Sequence, residues 1–172
     1  MLSFFISTAL TLQLSVNNLN LRDIPWGVSY NQIQVPSGFS FRHTERANTL
    51  AWSGNLDREP AVMVAGFTPR TQRLNELTFI IGNETNIVPA KARYLKYRNL
   101  LKRAYGKPSH SYDYVSAPYT KGDGKEDLAL FDGKYNKSDF WNKFSKTFIG
   151  MAITPEGWTC VTFESKELSK AP

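Results

Sequence analysis

His43 and His110 are the only histidines of the chain, and each has a carboxylate close by in sequence. Glu45 stands two residues beyond the first and Asp113 three beyond the second. An imidazole oriented by a carboxylate can serve as a general base near neutral pH, so a small hydrolase built on either residue is one reading. The flanking stretches, "FRHTERAN" and "KPSHSYDY", are polar and loop-like, and a solvated histidine accounts for each without any chemistry. No Gly-x-Ser-x-Gly, His-Glu-x-x-His, P-loop or Gly-x-Gly-x-x-Gly is present, so no catalytic residue is assigned.

Metal chemistry finds little support either. "KGDGKEDLALFDG" gathers Asp123, Glu126, Asp127 and Asp132, but the alternating acid spacing of a calcium loop is missing and Lys121 and Lys125 stand among the acids. It reads as a solvated loop. Cys160 is the single cysteine, which excludes an internal disulfide and a cysteine-based zinc site. Within "GWTCVTFES" it reads as a small, buried apolar residue. No cofactor and no metal ligand is assigned.

The positive signal is charge. The chain carries a net charge of +6, and seven basic residues with no acid between them occupy the interval from Glu84 to Asp113: Lys91, Arg93, Lys96, Arg98, Lys102, Arg103 and Lys107. Outside that block the chain is essentially neutral. Lys91, Arg98 and Lys102 recur at helical spacing on one face, and with Arg103 they form the candidate partner-binding set. Such a face can meet phosphate, as nucleic acid or lipid headgroups, or an acidic protein. The plainer account is a solvated outer face of a helix packed by its other side.

Which elements carry these residues? "NIVPAKARYLKYRNLLKRAYGKP" predicts a helix over 90–105, with Asn86 as cap, Pro89 in the first turn, and Gly106 and Pro108 as stop signals. Tyr94, Tyr97, Leu101, Ala104 and Tyr105 form its apolar stripe. Upstream, "LAWSG", "AVMVAGF" and "RLNELTFIIG" predict three strands of an antiparallel meander, with a bulge or a fully covered end where "LNELTFII" breaks alternation. Downstream come a strand end near Ser109 with a long loop, a strand in "LALFDG", a short helix over 138–146 capped by Ser138, and two closing strands joined at Pro155-Glu156-Gly157. Trp26, Trp52, Trp141 and Trp158 could line a ligand groove, but each sits beside a turn or on a predicted element and is expected in the core.

A chain of 172 residues with 41% apolar and 13% aromatic residues can bury a core without a staple. The expected fold is one α+β domain over 19–166, an antiparallel sheet of about five to seven strands packed by one long and one short helix. Residues 167–172 form a polar tail. The opening "MLSFFISTALTLQLSV" is apolar and uncharged, so 1–18 reads as a signal peptide or, alternatively, as a first strand. The first alternative places the protein in the periplasm or outside the cell, the second in the cytoplasm. The run is too short for a membrane span. Asn83 and Asn136 stand in glycosylation sequons.

The order of short motifs resembles a loose group of small bacterial exported proteins of unknown function. The shared signs are "I-x-W-G-x-S" at Ile24 to Ser29 and a helix ending in "L-x-x-x-Y-G-x-P" at Leu101 to Pro108. A helix after Ser29 belongs to that pattern, and Pro36, Ser37 and Gly38 interrupt it here. The resemblance implies export and an α+β fold and brings no catalytic residues. Three functions stand side by side. The leading one is a non-enzymatic exported domain that binds a protein or envelope partner, for instance as an inhibitor-like module. The others are a phosphate- or nucleic-acid-binding module using the basic helix 91–107, and a hydrolase using His43 or His110.

Overall fold

The computed structural model describes residues 19, 21, 23–33, 37–82, 87–144 and 146–170. The leader read in 1–18, the Asn83 sequon and the Asn86 cap lie outside the described residues. After a single 3-10 turn at Tyr30–Gln32, the chain forms β1 (Phe39–Arg42), β2 (Thr49–Leu56), β3 (Glu59–Phe67) and β4 (Leu74–Ile81). Then come α1 (Ile87–Tyr105), β5 (His110–Val115), α2 (Glu126–Phe131), β6 (Tyr135–Trp141), β7 (Thr147–Ile153) and β8 (Thr159–Ser165). The fold is therefore α+β. All strands join one antiparallel sheet in the order β1-β2-β3-β4-β8-β7-β6-β5.

The sheet holds eight strands, more than the five to seven expected. Two meanders of four strands meet where β4 pairs with β8. Four strand spacings separate β4 from β5, about 19 Å, and the 19 residues of α1 span about 28 Å. One helix of that length can carry the chain across half the sheet. The expected bulge is present: Gly66 faces Glu76 while Phe67 faces Leu74, leaving Asn75 as the extra residue.

Register sorts the side chains. Leu50, Trp52, Met63, Ala65, Leu77, Phe79, Val161, Phe163, Ile149 and Met151 share the face on which α1 lies, and all are buried. Tyr94, Tyr97 and Leu101 of α1 are at most 1% exposed and complete this core. The Tyr97 hydroxyl donates to the carbonyl of Leu56 at 2.9 Å, so a polar tip is satisfied inside an apolar layer. On the opposite face Val62, Val64, Thr78, Ile80, Cys160 and Thr162 are half-buried, and neither α-helix covers them.

Two expectations for the second half exchange places. Residues 126–131 are a helix where a strand was expected, and 135–141 are a strand where a helix was expected. Glu126 and Asp127 favour the N-terminal turn of α2 electrostatically. Its end is set by Gly133 at φ 66°, whose N–H donates to Leu130, while Lys134 N–H donates to Ala129. In β6, Asp139 and Trp141 alternate inward with Ser138 and Phe140 on the other face. Ser138 is a ladder residue there and caps nothing. The polar tail begins with a 3-10 turn, Leu168–Lys170, where Leu168 N–H donates to the Ser165 hydroxyl.

Both sheet edges are blunted. β1 is only four residues long. At the other edge Lys121 Nζ donates to the Asp113 carbonyl of β5 at 3.2 Å, placing a cation where another strand would pair.

Candidate binding site at the C-terminal end of the long helix

The cations of α1 divide into two groups. Lys91 reaches Asp127 of α2 at 3.1 Å, and Arg93 reaches Glu59 at 2.5 Å. Lys96 bridges Asp57 and Glu59, each at 2.8 Å. Arg98 grips Asp139 through Nε at 2.5 Å and Nη2 at 3.2 Å. Tyr94 and Ser111 donate to the same carboxylate, which is 2% exposed. Burial pushes the Asp139 carboxyl up, but the hydrogen bonds from Arg98, Ser111 and Tyr94 outweigh it and hold the group below the usual carboxylate range. Lys91 and Arg98, half of the candidate set, are thus balanced within the chain. The continuous cationic face that their spacing implied is not presented.

Lys102 and Arg103, the other half, have no side-chain partner among the described residues. They stand in the last turn of α1, which ends in an αL cap: Gly106 has φ 78° and its N–H donates to Lys102 at 2.9 Å. Last-turn cations also favour the helix dipole, and this alone would explain them. Lys146 changes that account. It comes from the β6–β7 connection, outside the helix, and joins Arg103 in lining a cavity of about 560 Å³. Leu21, Tyr105, Phe144 and Ile149 supply apolar walls, and among the described residues no acid lines it. Lys102 and Asn99 continue the surface beyond Arg103.

The walls are fixed from several directions. The Tyr105 hydroxyl accepts from Leu21 N–H at 2.6 Å and donates to the Leu19 carbonyl at 3.1 Å, tying the described N-terminal residues to the helix end. The Tyr105 and Phe144 rings meet edge-on with centroids 5.3 Å apart. Trp141 Nε1 donates to the Gly106 carbonyl at 2.9 Å, and Lys166 Nζ donates to the carbonyls of Asn142 and Phe144. A concave apolar surface lined by two cations can take an anionic head that carries an apolar body.

No protein-family model, curated protein or solved structure matches the chain. What the site does rests on its chemistry.

The other sequence candidates are dispersed. His110 and Asp113 lie on opposite faces of β5, and Asp113 is engaged by Lys137, Tyr135 and Lys121, so they form no dyad. His43 follows β1 and lines a second cavity, without Glu45. Asp123 accepts from the N–H groups of Thr120 and Lys125, Glu126 from Gly122, and Asp132 from the Tyr119 hydroxyl. Among the described residues no group of three acids, histidines or cysteines could hold a metal. No helix of the described residues is long and apolar enough to cross a membrane.

The indoles split as well. Trp52 and Trp141 are at most 2% exposed, whereas Trp26 is half-buried and its Nε1 donates to Thr147 at 3.0 Å. Trp158, expected in the core, is 37% exposed on the uncovered face.

Cys160 is half-buried on that face, and burial pushes its thiol up to about 11 from 9.0. Only the thiolate is a good nucleophile, so alkylation near neutral pH should run about a hundredfold slower than for an unburied cysteine. A thiol-labelling time course on the folded and urea-unfolded chain measures the ratio.

The sequence points to Tyr105 through the apolar stripe but gives no sign of Lys146, Leu21, Phe144 or Ile149 at this site; a helix over 138–146 would not bring Lys146 to Arg103.

Proposed function

We propose that this chain is a non-enzymatic exported domain that holds an anionic component of the cell envelope at the C-terminal end of α1. One observation carries this reading: Arg103 and Lys146, from different elements, both line an apolar cavity that no acid lines among the described residues. A phosphate headgroup placed between the two cations sets its apolar portion against Leu21, Phe144 and Ile149. Export rests on the apolar, uncharged opening and on the resemblance to small exported proteins. The pairing of Lys91, Arg93, Lys96 and Arg98 with acids leaves α1 without the extended stripe that a nucleic-acid backbone requires.

Sedimentation with vesicles tests the proposal. The protein should bind phosphatidylglycerol-containing vesicles and leave phosphatidylcholine vesicles alone. At about 1 kcal/mol per cation near an anionic surface, the double variant Arg103→Gln/Lys146→Gln should bind about thirtyfold more weakly. Equal binding to both vesicle types, or an unaffected double variant, would rule the reading out.

A further inference from the structure

A second cavity lies on the sheet face that the helices leave uncovered. Register places Ser53, Val62 and Ile80 side by side in one row across β2, β3 and β4, and Arg42, Ala51 and Val64 in the next row. A cavity of about 600 Å³ sits over these rows. Val62, Val64, Ile80 and Pro60 form its floor, Trp158 stands at one end, and Arg42 and His43 stand at the other. This volume lies within the range of small-molecule sites.

Edge strands commonly carry a charge to discourage pairing, which would account for Arg42 alone. It does not account for the rest of the cavity. An indole 37% exposed faces the same floor of branched apolar residues, and among the described residues no acid lines the cavity. Arg42 and His43 have no side-chain partner among the described residues. The charge is one-sided, the floor is apolar, and the polar groups gather at one end.

We infer that this cavity binds an amphiphilic monocarboxylate, with the carboxylate at Arg42 and His43 and the apolar body along Val62, Val64 and Ile80 toward Trp158. A planar guanidinium can give a carboxylate two parallel N–H donors, and an imidazole N–H adds a third. Flat sheet rows of valine and isoleucine offer an extended chain continuous contact, and the indole closes the far end. The site is separate from the α1 cavity and shares no lining residue with it.

Decanoate is the probe, titrated calorimetrically and by amide NMR shifts into the full chain, with decanol and a short apolar peptide ending in a free carboxylate as comparisons. Saturable decanoate binding with shifts centred on Val62, Val64 and Ile80 is expected. Arg42→Gln and Trp158→Ala should each weaken it about tenfold, and Arg42→Gln should do so with an unchanged melting temperature, since its side chain is exposed. Decanol should bind at least tenfold more weakly than decanoate. Arg103→Gln should leave the decanoate-induced shifts at Val62, Val64 and Ile80 unchanged, which separates this site from the vesicle-binding one. The inference is overturned if decanoate shifts only residues around Arg103 and Lys146, if Arg42→Gln binds normally, or if the peptide alone binds.

Discussion

Asp139→Ala is expected to destabilise the fold by about 3–5 kcal/mol, the cost of removing one partner from a buried ion pair. The carboxylate is 2% exposed and accepts from Arg98, Tyr94 and Ser111. Its loss leaves a guanidinium and two hydroxyls without an acceptor between α1, β5 and β6. Arg98 retains 28% side-chain exposure and can recover some hydration, which places the effect toward the lower end of that range. Urea unfolding of both chains measures it. The pH dependence follows from the same contact. The Asp139 carboxyl is held low in the folded chain, so its stabilisation is present above the ordinary carboxylate pKa and lost as pH falls through the lower folded value. Asp113, also held low by Lys137 and Tyr135 against the effect of burial, acts in the same direction. Wild type should therefore lose stability below about pH 4. In the alanine variant that loss should be smaller.

Trp141→Ala is expected to cost about 3–5 kcal/mol as well, by a different route. The side chain is 1% exposed in the core layer, and alanine leaves a cavity there. Trp141→Phe should keep most of the packing and lose only the hydrogen bond to the Gly106 carbonyl, about 1 kcal/mol. Because Gly106 and Tyr105 line the α1 cavity, the phenylalanine variant should also bind anionic vesicles more weakly than wild type while remaining folded. Thermal melts and vesicle binding on the two variants separate packing from positioning.

Much of the architecture is legible from local signals. The tyrosine stripe and the Gly106 stop define α1. The hairpin at Pro155-Glu156-Gly157 is read from its turn residues, and the structure closes it through Gly157 at φ 80°. Where local signals conflict, tertiary contacts decide. "SDFW" looks like a capped helical start, yet Asp139 is needed inward by Arg98 and Trp141 by the core, and inward alternation makes that segment a strand. "EDLALF" is apolar enough for a strand, but its leading acids and Gly133 favour a short helix with Ala129 and Leu130 buried. β1, with four residues, is too short to stand out in the sequence.

The site was half legible. Spacing identified the basic helix, and Arg103 lines a cavity with Lys102 on the surface beside it. Spacing along one segment cannot show that Asp57, Glu59, Asp127 and Asp139 arrive from the β2–β3 turn, β3, α2 and β6 to neutralise the cations upstream. Nor can it bring Lys146 across from another element.

That division of α1 is the central claim, and one comparison tests it most directly. Lys91 lies 12 residues before Arg103, about 18 Å along the helix, which is more than twice the physiological screening length. Affinity for phosphatidylglycerol vesicles should be measured side by side for Lys91→Glu and Arg103→Glu. The account predicts that Arg103→Glu weakens binding at least tenfold while Lys91→Glu stays within about twofold of wild type. Equal losses in the two variants, or a loss confined to Lys91→Glu, would contradict it.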